Sequence, residues 1–173
     1  MRLPATLLHT ALALTATVLD FSVLSVWADR AFLPQVGLVG VLMAAVLAPP
    51  RVATVWAWVV GGVASLTTAH GFGAPLVAAL VAAGVVRTLA REVLTNRSWL
   101  ALAALVAVGS ILAPIVLTAA NRIEALVRLP VAVLPWSTLD PRLVLWRSVG
   151  NVCLFSLVYV VARWLERRRQ PVP

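Results

Sequence analysis

No charged residue stands between Arg51 and Arg87, and none between Arg97 and Arg122. A helix on the surface of a soluble domain needs a polar face opposite its apolar stripe, so runs of this length leave no way to wet the outside of a soluble fold. Their natural solvent is a bilayer, whose hydrocarbon core of about 30 Å is crossed by roughly 20 apolar residues rising 1.5 Å each. Composition agrees: 62% of the 173 residues are hydrophobic and 12% charged, against about 45–50% and about 25% in soluble domains.

The sequence therefore predicts an all-α polytopic membrane protein, with residues 1–173 forming a single integral membrane domain of about six transmembrane helices in one bundle. The predicted spans are Pro4 to Val26, Leu33 to Ala48, Val52 to Thr68, Ala74 to Leu89, Ser98 to Ala120 and Leu143 to Ala162. The second to fourth are short and require snorkelling flanks or local thinning of the bilayer. Pro49 and Pro50 with Arg51 mark one helical hairpin, and Gly71, Phe72 and Gly73 before Pro75 mark another. Pro114 is expected to kink the fifth span. Asn121 with Glu124 resembles a capping box, and Ile123, Leu126 and Val127 fall on one face. That pattern predicts a separate interfacial helix over residues 121–129. Asp140 before Pro141 supplies an N-cap and a first-turn proline for the last span.

All 14 basic residues are arginine, set against 6 acidic ones for a net charge of +8. They stand singly or in small groups between apolar stretches, which excludes a nucleic-acid face and points to orientation in a membrane. With six spans, Arg2, Arg51, Arg87, Arg91, Arg97, Arg163, Arg167, Arg168 and Arg169 share one side. Arg30, Arg122, Arg128, Arg142 and Arg147 share the other. The positive-inside rule then places both termini in the cytoplasm. Trp27, Trp56, Trp58, Trp99, Trp136, Trp146 and Trp164 lie near predicted span ends, where an indole N–H stays wet. Val26, Trp27 and Ala28 also fit a signal-cleavage site, but the apolar stretch before them is long, carries only Arg2 ahead of it and is interrupted by Asp20.

Asp20 is the only carboxylate inside a predicted span, a costly position that demands a partner. Arg30 and Arg147, assigned to the same side, are the expected partners in an intramembrane ion pair, with a proton or cation site as the functional alternative. His9 and His70 are too few and too separated for a metal site, and single Cys153 makes neither a disulfide nor a cysteine-rich metal centre. Ser65 and His70 lack the spacing of a nucleophile and base, so the reading is of a non-enzyme with no cofactor, no metal and no catalytic residue. Asn96, Arg97 and Ser98 match a glycosylation acceptor on the predicted cytoplasmic side, where Ser98 or Asn96 serves better as a helix cap. Small residues recur four apart at Gly40, Ala44 and Ala48, at Gly61 and Ser65, at Ala78 and Ala82, and at Ala79 and Ala83. Such rows predict a close helix-packing interface.

Several of these features together resemble the MreD family of rod-shape-determining membrane proteins, in its divergent forms, over roughly Leu33 to Ala120. They are Pro34 near the start of the second span, a tryptophan-bearing third span with Gly61, a turn at Phe72 and Gly73, and an arginine-flanked turn of Thr95, Asn96, Arg97 and Ser98. The chain departs from the family where an acidic residue usually follows the glycine of the third span and Ser65 stands instead. The resemblance implies a scaffold subunit of the cell-wall elongation machinery in the bacterial inner membrane, multi-pass, beside an MreC-like protein and peptidoglycan synthases. Monomer and homo-oligomer are both compatible with it. The alternative is a six-span substrate-binding subunit of an energy-coupling-factor vitamin transporter. Such subunits usually carry a row of alanines four apart on the first span, where this chain has Ala11 with Thr15 and Ala13 with Thr17.

Overall fold

The computed structural model describes residues 5–24, 34–67, 73–92, 98–127 and 139–169. It is all-helical, with no strand among the described residues. The helices are α1 (Ala5–Leu19), running into a π-helical turn at Asp20–Leu24, α2 (Val36–Leu47), α3 (Pro50–Thr67), α4 (Ala74–Glu92), α5 (Trp99–Val127) and α6 (Pro141–Arg169). Among the described residues, three are long and apolar enough to cross a membrane: α4, α5, and α6 over Pro141–Leu165.

Helix starts follow local chemistry. Pro50 and Pro141 occupy first-turn positions where a missing N–H costs nothing. The Asp140 carboxylate accepts from Arg142 N–H at 2.9 Å, and the Ser98 hydroxyl accepts from Ala101 N–H at 3.3 Å, capping α6 and α5. The expected interfacial helix is corrected in part: residues 121–127 continue α5 without a break, and 128–129 lie outside the described residues. Neither glycine nor proline falls between Ile115 and Val127 to end the helix, and Asn121, read as a cap, is wholly buried inside the bundle. A capping-box pattern marks a helix start only where the preceding chain leaves the helical conformation.

The short helix α2 is the centre of the molecule. It packs against α1, α3, α4, α5 and α6, which contact one another in the order α1 on α3, α3 on α4, α4 on α5 and α5 on α6. Its sequence explains the position, because VGLVGVLMAAVL is apolar on every side and has no face to give to water. Val41 and Leu42 of α2 are fully enclosed, beside Val86 of α4, Val106 of α5 and Phe155 of α6. The outward faces are apolar as well, with Leu8, Leu12 and Val18 on α1 and Leu157 and Val160 on α6 exposed. Inside lipid that arrangement is neutral, since leaving the bilayer for another helix gains little hydrophobic energy.

Helices that gain little from hydrophobic burial must gain from close packing. A Cβ on Gly61 would lie 2.7 Å from the Leu76 Cα and 3.1 Å from the Pro75 carbonyl oxygen, so α3 touches the backbone of α4 there. At Gly40 of α2, the Trp56 ring of α3 occupies the space a side chain would need. Trp56 thus packs half-buried over α2, whereas Trp58, Trp99, Trp146 and Trp164 are exposed. Gly61→Ala should destabilise the bundle by about 1–3 kcal/mol, because a backbone cannot move aside as a side chain does. Gly62→Ala, one residue on, meets nothing within 4 Å and should be neutral or stabilising by about 0.5–1 kcal/mol. Thermal unfolding in mild detergent separates the two, and equal shifts would remove close α3–α4 contact as a source of stability.

Candidate functional site

Twelve residues make α2 about 18 Å long, well short of a hydrocarbon core of about 30 Å. It is enclosed by α1, α3, α4, α5 and α6, and like every helix it leaves four N–H groups and four carbonyls without partners of their own. Each such group abandoned in hydrocarbon costs several kcal/mol. The local sequence supplies nothing: Gln35 at the N-cap makes no side-chain capping bond, and Ala48 at the C-cap has no polar side chain.

Other helices supply the partners. From the turn after α1, the Asp20 carboxylate accepts from Val36 N–H through Oδ1 and from Gly37 N–H through Oδ2, each at 2.6 Å. From α6, the Asn151 amide oxygen accepts from Gln35 N–H at 2.7 Å. Three of the four orphan donors are thus satisfied across the bundle. The negative carboxylate also faces the positive end of the helix dipole. Gly37 is required at this point, because a Cβ there would stand 2.8 Å from Asp20 Oδ2. Asn151 is completely buried and its amide nitrogen donates to the Ser110 hydroxyl of α5 at 3.0 Å. Ser148, one turn earlier on α6, donates to the Ala107 carbonyl at 3.4 Å.

At the opposite end, Arg87 of α4 donates through Nη1 to the carbonyl oxygens of Ala45 at 3.2 Å and Ala48 at 3.1 Å. A cation on the last turn complements the negative end of the same dipole. Beside it lies a cavity of about 290 Å³ walled by residues 45–49, by Arg87, Ala90 and Arg91 of α4, and by Leu102 of α5.

Of the two predicted partners of Asp20, Arg147 is thereby corrected. Backbone donors hold the carboxylate, and Arg147, half-buried on α6, is not among its partners; Arg30 lies outside the described residues. The physical reason is that a helix N-terminus offers two fixed N–H groups with no ordering cost, where an arginine must be immobilised to reach the same place. Of the predicted packing residues, Ala44, Gly61, Ser65, Ala78 and Ala82 are buried, and Gly40 faces Trp56. The Ser65 hydroxyl donates to the Gly61 carbonyl at 2.7 Å. Of the family-like turns, the Gly73 carbonyl accepts from Val77 N–H at the start of α4 and Ser98 caps α5. Phe72, Thr95, Asn96 and Arg97 lie outside the described residues.

Asn151 and Arg87 escaped the sequence reading. A neutral amide in an apolar helix attracts no notice, and an arginine near a helix end looks like a topology marker. The usable signal was an absence: the predicted second span has no capping residue at either end, so its ends had to be served from elsewhere.

Asp20→Asn should lower stability by about 1.5–3 kcal/mol, since the amide keeps one acceptor and sets an NH₂ against a backbone N–H. Arg87→Met should cost a similar amount. The sites are separated by the length of α2, so the double variant should equal the sum within about 0.5 kcal/mol. Denaturation in mixed micelles reads all three, and full stability of Asp20→Asn would exclude the capping role.

Comparison with protein-family models, curated proteins and solved structures returned no match, so the geometry of these helix ends is what bears on function.

Proposed function

We propose that the chain is a non-catalytic integral membrane subunit that acts by binding other membrane proteins, as an MreD-like scaffold of the bacterial cell-wall elongation machinery. The observation that carries this reading is the use made of polarity inside the bundle. Asp20, Asn151 and Arg87 are each engaged with backbone groups of α2, as struts between helices. The outward faces of α1 and α6 are meanwhile left apolar and ready for lipid or partner helices. The MreD resemblance names the partners: an MreC-like protein and peptidoglycan synthases in the inner membrane. Six passes belong to the same proposal, with α1, α2 and α3 inserted beside α4, α5 and α6, and with both termini in the cytoplasm. Short spans are tolerable in it because neighbouring helices satisfy the ends of α2.

Co-purification in mild detergent followed by mass spectrometry tests the proposal. Recovery of an MreC-like protein or a peptidoglycan synthase is expected, and recovery of a transporter ATPase in their place would favour the vitamin-transporter reading. Tryptophan at exposed Leu12 or Leu157 should reduce capture several-fold while thermal stability stays unchanged. Tryptophan at buried Ala78 or Ala82 should lower stability itself. Capture insensitive to every outward-facing substitution on α1 and α6 would remove those faces as the binding surface.

A further inference from the structure

We infer that the cavity beside the C-terminal end of α2 is a binding site for a phosphate group, supplied by the headgroup of an anionic phospholipid. Two arginines one turn apart on α4 line it, and none of its lining residues is acidic. Arg87 is anchored through Nη1 to the carbonyl oxygens of Ala45 and Ala48. Among the described residues no other bond engages it, so Nη2 and Nε remain as donors in a fixed orientation. Arg91 is exposed, lines the same cavity and has no bonded partner among the described residues. Carbonyls at the end of α2 offset the charge of Arg87, which leaves Arg91 as the surplus cation.

Planar guanidinium groups bind phosphate oxygens two at a time, and Arg87 and Arg91, four residues apart on α4, share one helix face, with Arg87 already anchored and Arg91 exposed at the cavity wall. The end of α3 nearest the cavity adds to the field, because α3 starts at Pro50, next to the Pro49 wall, with its positive dipole end and Arg51 there. At about 290 Å³ the cavity is at the lower limit of small-molecule sites, which suits a headgroup better than a whole metabolite. Its position between helices at an arginine-rich end is where basic pockets meet lipid headgroups. The site rests on membrane placement of the chain and not on the identity of its protein partners.

The test is native mass spectrometry of the full chain in mild detergent, titrated separately with phosphatidylglycerol, phosphatidylcholine and inorganic phosphate. Phosphatidylglycerol should bind roughly tenfold more tightly than phosphatidylcholine, and Arg91→Gln should erase that preference. Because Arg91 is exposed and unbonded within the described structure, the variant should unfold at the wild-type temperature without lipid, so lost binding is not lost folding. Arg142→Gln, away from the cavity, should bind as wild type. If inorganic phosphate displaces phosphatidylglycerol in the low millimolar range and Arg91→Gln abolishes both, the phosphate site stands with a soluble source. Equal binding of the two lipids, or undiminished binding by Arg91→Gln, would overturn it. Neither result touches the scaffold reading, which the capture experiment decides separately.

Discussion

The need to satisfy the ends of α2, a 12-residue apolar helix packed among five others, sets the terms for the rest of this structure. In water the ends of α2 would be hydrated at little cost. In hydrocarbon those ends require donors and acceptors from neighbouring helices. Asp20, Asn151 and Arg87 meet the requirement from three different helical segments. Each contact is directional and charge-assisted or buried, so together they fix the height and rotation of α2 relative to α1, α4 and α6. Apolar packing alone would leave sliding along the helix axes nearly free, because one aliphatic ridge resembles the next.

Small residues and polar struts divide the work between them. Gly61 and the alanines of α4 bring the helices together closely enough for dispersion to accumulate over many contacts. Close packing has no strong preference for register, while a 2.6 Å hydrogen bond to a particular N–H does. Gly37 belongs to both systems, since its missing side chain admits the very carboxylate that caps its own backbone. The remaining buried hydroxyls act locally: Thr17, Ser65 and Thr118 each donate to the carbonyl four residues earlier, which satisfies the hydroxyl without involving another helix.

The helical segments were legible because their signals are local. Proline at 50 and 141 starts a helix through its own fixed backbone angle, and serine at 98 and aspartate at 140 do so through bonds that reach no more than three residues along the chain. Asp20 was visible as an anomaly, but its donors are 16 and 17 residues away on another helix, and no spacing rule connects them. An ion pair was the natural expectation because arginine is the only full positive charge in this sequence. The helix dipole is a partial charge that appears only once the helix exists. The same limitation explains the run of α5 past Asn121. Whether a capping-box pattern begins a helix or sits within one depends on tertiary burial of that asparagine, which the sequence does not display.

The two ends of α2 solve one problem in different ways, and the difference carries functional content. At the Asp20 end the partners match closely: three donors meet three acceptor atoms, and Asp20 Oδ2 occupies the space that a side chain on Gly37 would need. At the Arg87 end a five-donor guanidinium serves two carbonyls from one nitrogen, a second arginine stands beside it, and a cavity opens between them. Helix capping accounts for Arg87 but leaves Arg91 and the open volume unexplained. The donors and space at the Arg87 end are therefore the part of this architecture that faces outward to a ligand, while the three bonds at the Asp20 end keep α2 in register.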